Sequence, residues 1–255
     1  MTIVYIYAKG KSAAGDFELR HSLRSIDKFA TGVDRVVVVG YCPEWLSDTI
    51  VKVPYCDGMP CGNGNGMGKK MRNIMMNCVR AFDMVPDMQE CLVSMDDHFY
   101  INKVDFDNYP YFVRDYLDKS WRATLPYGVL TNQYFALLSQ TRQYLESRGL
   151  PVLNFAIHRN MHVKRSVIDE CRGEIEKMSE WRSPAIECFA WWNNILLSSG
   201  EIVPTIVEDV KIYGISEFEE KIKNTDVFSI ADISQDSAMY KIIEKIYPEK
   251  SKYEL

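Results

Sequence analysis

Three adjacent polar residues, Asp96, Asp97 and His98, follow a short apolar run at residues 92–95. Such a run predicts a buried strand. Open α/β sheets bind ligands beyond the carboxyl ends of their strands, and hard cations prefer carboxylate and phosphate oxygens. We therefore predict that Asp96 and Asp97 hold Mg²⁺ or Mn²⁺, with His98 as a further ligand or as a partner of one. The alternative is an Asp-Asp turn or a helix N-cap without a ligand.

Two arginines, Arg20 and Arg24, lie four residues apart in a predicted helix over residues 18–29. This spacing places both side chains on one helix face, where two guanidinium groups could bind one diphosphate through forked hydrogen bonds. The alternative is that the arginines pair with Glu18, Asp27 or solvent.

A glycine-rich segment at residues 56–68 leads into a predicted helix over residues 69–82. The helix opens with Lys69, Arg72 and Asn73. The amides of a helix N-terminus and nearby basic side chains suit a phosphate. The glycine spacing matches neither a P-loop nor a dinucleotide-binding fingerprint, so the alternative is an ordinary surface loop followed by a solvated basic turn.

His158 and His162 are a second pair of candidate ligands. On a helix, their spacing would place both rings on one face, where they could bind a metal. The glutamate of a zinc-protease HExxH motif is missing, so that activity is not supported. The alternative is that both are ordinary hydrogen-bonded histidines. Asp209 and Glu208 are candidates for a general base only because acids occur there.

Apolar patterning predicts an alternation of strands and helices along the chain. The predicted strands lie at residues 3–7, 35–40, 50–54 and 92–95, and the predicted helices at residues 18–29, 69–82, 133–148 and 163–177. This order predicts an α/β fold with a mainly parallel sheet flanked by helices. We expect one domain over residues 1–255, with a less regular, α-rich half after residue 105.

Composition narrows the class of protein. The chain has 255 residues, 47% hydrophobic, with a net charge of -5, which argues against a dedicated nucleic-acid coat. Seven irregularly spaced cysteines without a CxxC argue against a disulfide framework and a zinc knuckle. No run approaches the roughly 20 apolar residues of a membrane span, and the N-terminus does not resemble a signal peptide. We expect a cytoplasmic protein with reduced thiols.

Five segments together resemble a known group of enzymes. They are residues 3–7 (IVYIY), 18–26 (ELRHSLRSI), 36–40 (VVVVG), 43–46 (PEWL) and 95–99 (MDDHF). They look like the nucleotide-sugar-binding core of Stealth-type sugar-phosphate transferases, and equally like small, often phage-encoded glycosyltransferases of the GT-A fold. The match covers roughly residues 1–105, and the ELRHSLRSI segment is its most specific piece. A weaker similarity continues at His158, at residues 181–183 and at Trp192 with Asn193.

The resemblance implies a GT-A-like fold that binds a nucleoside-diphosphate sugar through a metal. Asp96 and Asp97 would then act as the DxD motif, although the residues here read Asp-Asp-His. His158 would be a later metal or substrate ligand. The residues that the resemblance places near the phosphates or the bound substrate are Arg20, Arg24, Asn73, Arg182, Trp192 and Asn193.

A metal-dependent glycosyltransferase is the first hypothesis for function. The metal would neutralise the leaving diphosphate, and Lys69 would add positive charge together with the two arginines. Tyr7 and Lys9, which follow the first strand, would lie near the nucleobase. Trp192 or neighbouring tryptophans would stack on the acceptor, which is left open as a glycan, a small molecule or a modified DNA base. His158 and Asp209 are the catalytic candidates.

Two other hypotheses stay open. In a Stealth-type sugar-1-phosphate transferase, Arg20, Arg24 and His158 would act directly on the transferred phosphate. In a non-catalytic module, the same residues would bind the nucleotide-sugar without turnover. The released nucleotide separates the two transferases, because sugar transfer leaves a diphosphate and sugar-phosphate transfer leaves a monophosphate.

Overall fold

The computed structural model describes residues 1–8, 15–54, 67–117, 133–180, 186–230 and 237–255. Its helices are α1 (Phe17–Phe29), α2 (Met67–Met84), α3 (Gln133–Ser147), α4 (Arg165–Glu180), α5 (Cys188–Ser198), α6 (Ile215–Lys221) and α7 (Ser237–Ile246), with a 3₁₀ turn at Ile222–Asn224. Its strands are β1 (Thr2–Tyr7), β2 (Ala30–Thr31), β3 (Arg35–Gly40), β4 (Ile50–Pro54), β5 (Glu90–Ser94), β6 (His98–Tyr100), β7 (Val104–Asp105), β8 (Tyr111–Val113), β9 (Asp115–Tyr116), β10 (Leu153–Asn154), β11 (Met161–Lys164), β12 (Pro204–Ile206), β13 (Lys211–Ile212) and β14 (Val227–Ile230).

The central sheet has the strand order β4-β3-β1-β5-β11. The first four strands are parallel, and β11 runs antiparallel to β5. The chain winds outward from β1 to β3 and β4, and then crosses to the other side of β1 to form β5. The winding direction therefore reverses between β1 and β5. Such a switch point opens a crevice at the carboxyl ends of the strands, where α/β sheets bind ligands.

Side chains of the central sheet alternate between two apolar layers, as the pleat of a strand requires. Val4 and Val37 face the layer that contains α2, α4 and α5, whereas Tyr5 and Val38 face α1. Each such side chain is fully buried, and complete burial of a valine contributes about 1.5–3 kcal/mol. Coverage on both faces explains why these strands read as continuous apolar runs.

A smaller sheet with the strand order β13-β14-β6 begins where the chain leaves β5. It packs against α6 and α7 around an aromatic cluster. The Phe99 ring lies 5.2 Å from the Phe228 ring and 6.3 Å from the Tyr247 ring, measured between centroids. Strand pairs β2-β7, β8-β12 and β9-β10 complete the described sheets. The second half of the chain is thus less regular than the first.

The predicted α/β fold, with a mainly parallel sheet flanked by helices, is confirmed. The predicted helix over residues 163–177 begins later, at Arg165, because Met161–Lys164 pairs with β5 as an edge strand. His158 and His162 are therefore not on a helix, so the shared face that their spacing would give there does not form. His162 lies in β11, and His158 lies in the irregular segment before it.

The sequence predicts that the chain has no membrane-spanning segment and that its cysteines are reduced. Within the described ranges, no helix is both long and apolar enough to cross a membrane. The cysteines described as free thiols are Cys42, Cys78, Cys91, Cys171 and Cys188. Cys56 and Cys61, together with most of the glycine-rich segment, lie outside the described residues.

Two buried serines of α1 form hydrogen bonds with the backbone of β6, on the strand edge that does not pair with β14. Ser22 Oγ donates to the carbonyl oxygen of His98 at 2.6 Å, and the Tyr100 amide donates to Ser25 Oγ at 3.0 Å. Ser22 Oγ also lies 2.7 Å from the hydroxyl of Tyr5 in β1. Both serines are fully buried. Because β14 covers only one edge of β6, these hydroxyls replace the strand that would otherwise pair with the other edge.

We predict that Ser22→Ala and Ser25→Ala each lower the free energy of unfolding by about 1–3 kcal/mol, because each leaves a buried backbone group of β6 without a partner. Urea denaturation measures the change. Ser147→Ala is the control, since the exposed Ser147 hydroxyl bonds only the Tyr144 carbonyl, and we expect it to change stability by less than about 0.5 kcal/mol. Equal effects of all three substitutions would contradict this account of α1.

Candidate functional site

Asp96 and Asp97 occupy a tight turn at the carboxyl end of β5. The His98 amide donates to the Met95 carbonyl at 3.3 Å, so the two aspartates are the central residues of a β-turn between β5 and β6. The turn lies beside β1 at the switch point of the sheet. The sequence left a turn and a ligand site as alternatives for Asp96 and Asp97. The observed turn does not exclude a ligand site at the same place.

The Asp97 carboxylate is held by residues from the smaller sheet. Ser229 Oγ donates to Asp97 Oδ2 at 2.7 Å, and Lys211 Nζ lies 3.9 Å from the same oxygen. The side chain is 21% exposed and lies at the carboxyl end of β5, beside the switch point of the sheet. Burial opposes ionisation, but the neighbouring His98, the charge of Lys211 and the Ser229 hydroxyl outweigh it and lower the pKa of Asp97. Asp97 is therefore an anion at neutral pH.

His98 points into the protein rather than into the crevice. Its side chain is 1% exposed, and Nδ1 lies 3.3 Å from Asn160 Oδ1. Burial lowers the pKa of His98 to about 4, so the ring is neutral at neutral pH. Nε2 lies 4.0 Å from Asp97 Oδ1 and has no hydrogen-bond partner in the described part of the chain. His98 therefore packs behind Asp97.

His158 and Asp209, the two catalytic candidates, are in direct contact. His158 Nδ1 lies 2.9 Å from both carboxylate oxygens of Asp209, and the His158 amide donates to Oδ1 at 3.2 Å. Burial would raise the pKa of Asp209, but the hydrogen bonds and charge of His158 and the charge of Arg114 lower it to about 2. Arg114 Nη1 lies 3.6 Å from Asp209 Oδ2. The carboxylate therefore fixes the orientation of the His158 ring.

Lys211 connects the His158–Asp209 pair to Asp97. Its Nζ lies 3.2 Å from His158 Nε2 and 3.9 Å from Asp97 Oδ2. Because an ammonium is a donor only, Nε2 is the acceptor and Nδ1 carries the proton that faces Asp209. The result is a connected row of charged and polar side chains, which we call the Asp97–Asp209 row: Asp97, Lys211, His158, Asp209 and Arg114.

Strand register brings this row together. Lys211 of β13 pairs with Ser229 of β14, and Ser229 pairs with His98 of β6. The three residues are neighbours across the small sheet, which places Lys211 and Ser229 beside the turn that carries Asp97. The sequence reasoning missed Lys211, Ser229 and Arg114. The one available signal was the Asp-Val-Lys spacing, since residues two apart in a strand share a face.

A divalent metal does not fit the described residues at this place. Within the ranges that the structure describes, no group of three or more His, Cys, Asp or Glu side chains could hold a metal ion. His98 is buried, and the Lys211 ammonium lies between Asp97 and His158. Two unit charges of the same sign 4 Å apart repel by about 4 kcal/mol at the effective dielectric of a protein. The metal predicted on Asp96, Asp97 and His98 thus has no support from the geometry.

Arg20 and Arg24 bind the end of the chain rather than an open site. Arg24 donates to both oxygens of Glu254 at 2.8 and 3.0 Å, and Arg20 donates to Glu254 Oε2 at 2.8 Å. The Glu254 side chain is fully buried, and the Arg20 guanidinium also lies 4.0 Å above the Trp45 ring. Glu254 was not among the partners that the alternative interpretation of the sequence named, which were Glu18, Asp27 and solvent. The geometry does not favour the predicted phosphate role of the arginines.

Trp192 and Asn193 do not fit the predicted contact with substrate. They are 1% and 2% exposed, because most of α5 is buried inside the core. Asn193 Nδ2 donates to the carbonyl oxygens of Phe189 and His162. Both residues therefore support packing. Lys9, Arg182 and the side chain of Lys69, which the sequence also predicted at the site, lie outside the described residues.

Tyr7, Arg72 and Asn73 lie on elements that reach the same edge of the sheet. Tyr7 ends β1, and its hydroxyl donates to Asp16 Oδ1 at 2.8 Å. Burial, then Asp16 and then Asp96 raise the pKa of Tyr7, so its hydroxyl stays protonated. Arg72 and Asn73 belong to the second turn of α2 and are partly buried. Their predicted binding roles stay predictions.

His162 lies apart from the candidate site. Its Nδ1 is 2.7 Å from Glu90 Oε1, and its Nε2 is 2.8 Å from the Tyr109 carbonyl oxygen. Glu90 begins β5, so this pair lies at the opposite end of the strand from Asp97. The ring also stacks on Tyr111, with centroids 3.9 Å apart. His162 is thus an ordinary hydrogen-bonded histidine, the alternative that the sequence left open.

The fold is found in many solved structures, one of which is described below. No family model matches the sequence, and no significant match is found among curated proteins. The chain is similar to a crystal structure described as a glycosyltransferase involved in the glycosylation of the major capsid of PBCV-1, with a TM-score of 0.46 and 10% identity. The similarity covers 95% of this chain and 98% of that chain. These values are too low to carry a functional assignment.

We predict that the buried Glu254 carboxylate makes folding sensitive to acid. Burial alone would raise its pKa, but hydrogen bonds from Arg24, the Ser251 amide and Arg20 lower it from 4.5 to about 2. The stabilisation is therefore complete above pH 4.5 and is lost as the pH falls toward 2. Glu254→Gln should lower the free energy of unfolding at pH 7 by about 3 kcal/mol and flatten its decline in acid.

Urea denaturation over this pH range tests the Glu254 prediction. Glu146→Gln is the control, since Glu146 is half exposed and bonds Arg142 on the surface of α3. We expect that substitution to change stability by less than about 0.5 kcal/mol. If Glu254→Gln loses stability in acid as steeply as the wild type, the ionised Glu254 carboxylate is not the source of the acid sensitivity.

Proposed function

We propose that this protein is a glycosyltransferase that moves a sugar from a nucleoside-diphosphate sugar to an acceptor. The Asp97–Asp209 row, placed at the switch point of a mainly parallel sheet, is the observation that carries the proposal. A row that contains a lysine and an arginine beside a crevice suits the diphosphate of such a donor. The resemblance of residues 1–105 to nucleotide-sugar-binding cores is a second, independent support.

Aromatic side chains at the ends of β1 and β3 supply the other part of the proposed donor site. The Tyr7 and Tyr41 rings lie 6.0 Å apart between centroids. Trp45 Nε1 donates to Asp16 Oδ2 at 2.9 Å, and Tyr7 donates to the other oxygen of the same carboxylate. Tyr41 and Trp45 are partly exposed and offer stacking surface to a nucleobase, whereas Tyr7 is buried. The nucleoside would then lie on the β1–β3 side and the diphosphate on the β5 side.

The proposed chemistry breaks the bond between the anomeric carbon and the diphosphate. The bonding electron pair stays on the phosphate oxygen of the departing nucleoside diphosphate, and the acceptor oxygen forms the new bond to carbon and releases its proton to solvent water. Lys211 and Arg114 would stabilise the negative charge that develops on the leaving group. Asp209 would hold the His158 ring, and His158 and Asp97 would hold the Lys211 ammonium. These residues therefore position positive charge before the reaction begins.

Donor turnover tests the proposed function. The protein is incubated with a panel of UDP-, GDP-, ADP- and dTDP-sugars, and the released nucleotide is identified by chromatography. We expect one donor to release its nucleoside diphosphate, either to an added acceptor mixture or slowly to water. Asp97→Asn should lower the rate by about 10- to 100-fold, because Lys211 loses one of the two groups that hold it.

Asp83→Asn is the matched control for Asp97→Asn. Asp83 is half exposed, lies at the end of α2 and bonds Arg172, so its substitution should leave turnover unchanged. Release of the monophosphate would replace the proposal with sugar-1-phosphate transfer. Tight binding of a donor without any turnover would indicate a binding module. Failure to bind any donor would overturn the proposal.

A double-mutant cycle tests whether His158 and Asp209 act as one unit. We predict that His158→Ala and Asp209→Asn each reduce donor turnover by about 10- to 100-fold and that the double variant is no slower than the slower single variant. The physical reason is that Asp209 orients the His158 ring through two contacts to Nδ1. Rates of all four proteins with the same donor give the coupling energy, which we expect to exceed about 1 kcal/mol. Additive losses would contradict this role of Asp209.

A further inference from the structure

The position of Lys211 is fixed from two sides. It is the first residue of β13, and its side chain is 21% exposed. Nζ lies 3.2 Å from His158 Nε2 on one side and 3.9 Å from Asp97 Oδ2 on the other. Its own carbonyl accepts a hydrogen bond from Lys221 Nζ at 2.7 Å. Lys211 is thus held at both its backbone and its ammonium, unlike a solvated surface lysine.

The His158 acceptor is itself rigid. Asp209 contacts both the ring and the backbone amide of His158, and the Val210 amide donates to the same carboxylate at 2.9 Å. The ring therefore presents the lone pair of Nε2 toward Lys211. An imidazole held in this way by a carboxylate is also the arrangement that orients a metal ligand. Here the cation that meets it is the ammonium of Lys211.

We propose that Lys211 is the resident cation of the donor site, that its ammonium binds the diphosphate of the nucleotide-sugar, and that a divalent metal is not needed there. This inference rests on the function proposed above. An ammonium has three N–H donors, and His158 accepts one of them, which leaves donors for phosphate oxygens. A metal bound between Asp97 and His158 would have to displace Lys211, because both cations would occupy the same space.

Binding of nucleoside diphosphates with and without metal tests the proposal. Calorimetry with UDP, GDP, ADP and dTDP is performed in EDTA and again in Mn²⁺. We expect the diphosphate that binds to have the same affinity in both buffers within about 3-fold. Lys211→Ala should weaken binding in EDTA by about 10- to 100-fold, the range of a charge-assisted hydrogen bond. Lys211→Arg, which keeps the charge, should retain most of the affinity.

Lys164→Ala is the matched control for Lys211→Ala. Lys164 is 23% exposed, close to the exposure of Lys211, but it pairs with Glu201 at the far end of β5. Its substitution removes the same charge from the chain and should leave binding unchanged. Urea denaturation of each variant confirms that it is folded. A folded Lys211→Ala protein that binds as tightly as the wild type would overturn the proposal.

Direct binding of Mn²⁺ provides a readout independent of nucleotide. Electron paramagnetic resonance of free Mn²⁺ should show no stoichiometric uptake by the wild type. One bound Mn²⁺ per chain that is lost in Asp97→Asn, together with nucleotide binding only in Mn²⁺, would overturn the role of Lys211 and leave the proposed glycosyltransferase intact. Failure of every diphosphate and donor to bind in either buffer would overturn both.

Discussion

The candidate site depends on one edge of β6, which has no neighbouring strand in the described part of the chain but whose backbone groups still need hydrogen-bond partners. A buried strand edge must find hydrogen-bond partners, and β14 supplies them on only one side. Ser22 and Ser25 of α1 supply them on the other. Since β6 begins directly after the Asp96–Asp97 turn, the helix and the small sheet together fix that turn at the carboxyl end of β5. The serines of the ELRHSLRSI segment thus act through the backbone of β6.

The need to pair buried charge organises two different parts of the chain. Arg20 and Arg24 meet Glu254, which lies more than two hundred residues away along the sequence. At the site, Asp97 meets Lys211, and Asp209 meets His158 and Arg114. Each carboxylate stays ionised because a cation or a hydrogen-bond donor offsets its loss of water. The first group anchors the end of the chain on α1, whereas the second borders a crevice.

Local pattern predicted the first half of the fold well. The runs at residues 35–40 and 50–54 coincide with β3 and β4, and the helical stripe of α1 was expected within one residue. These elements are buried on a regular face, so their period is visible in the sequence. The first two residues of the helix predicted over residues 163–177 instead belong to a strand, because pairing with β5 overrode the local spacing.

The sequence by itself determined which residues carry charge. It showed that two aspartates follow a buried strand. It also contained His158 and Asp209, without any indication that they touch. Only the tertiary structure decided which charges meet, since pairing across a sheet joins residues that are far apart in the chain. The register of β13, β14 and β6 placed Lys211 and Ser229 beside Asp97, and the burial of α5 removed Trp192 and Asn193 from solvent. Electrostatic and packing partners depend on distance in space, which local spacing does not encode.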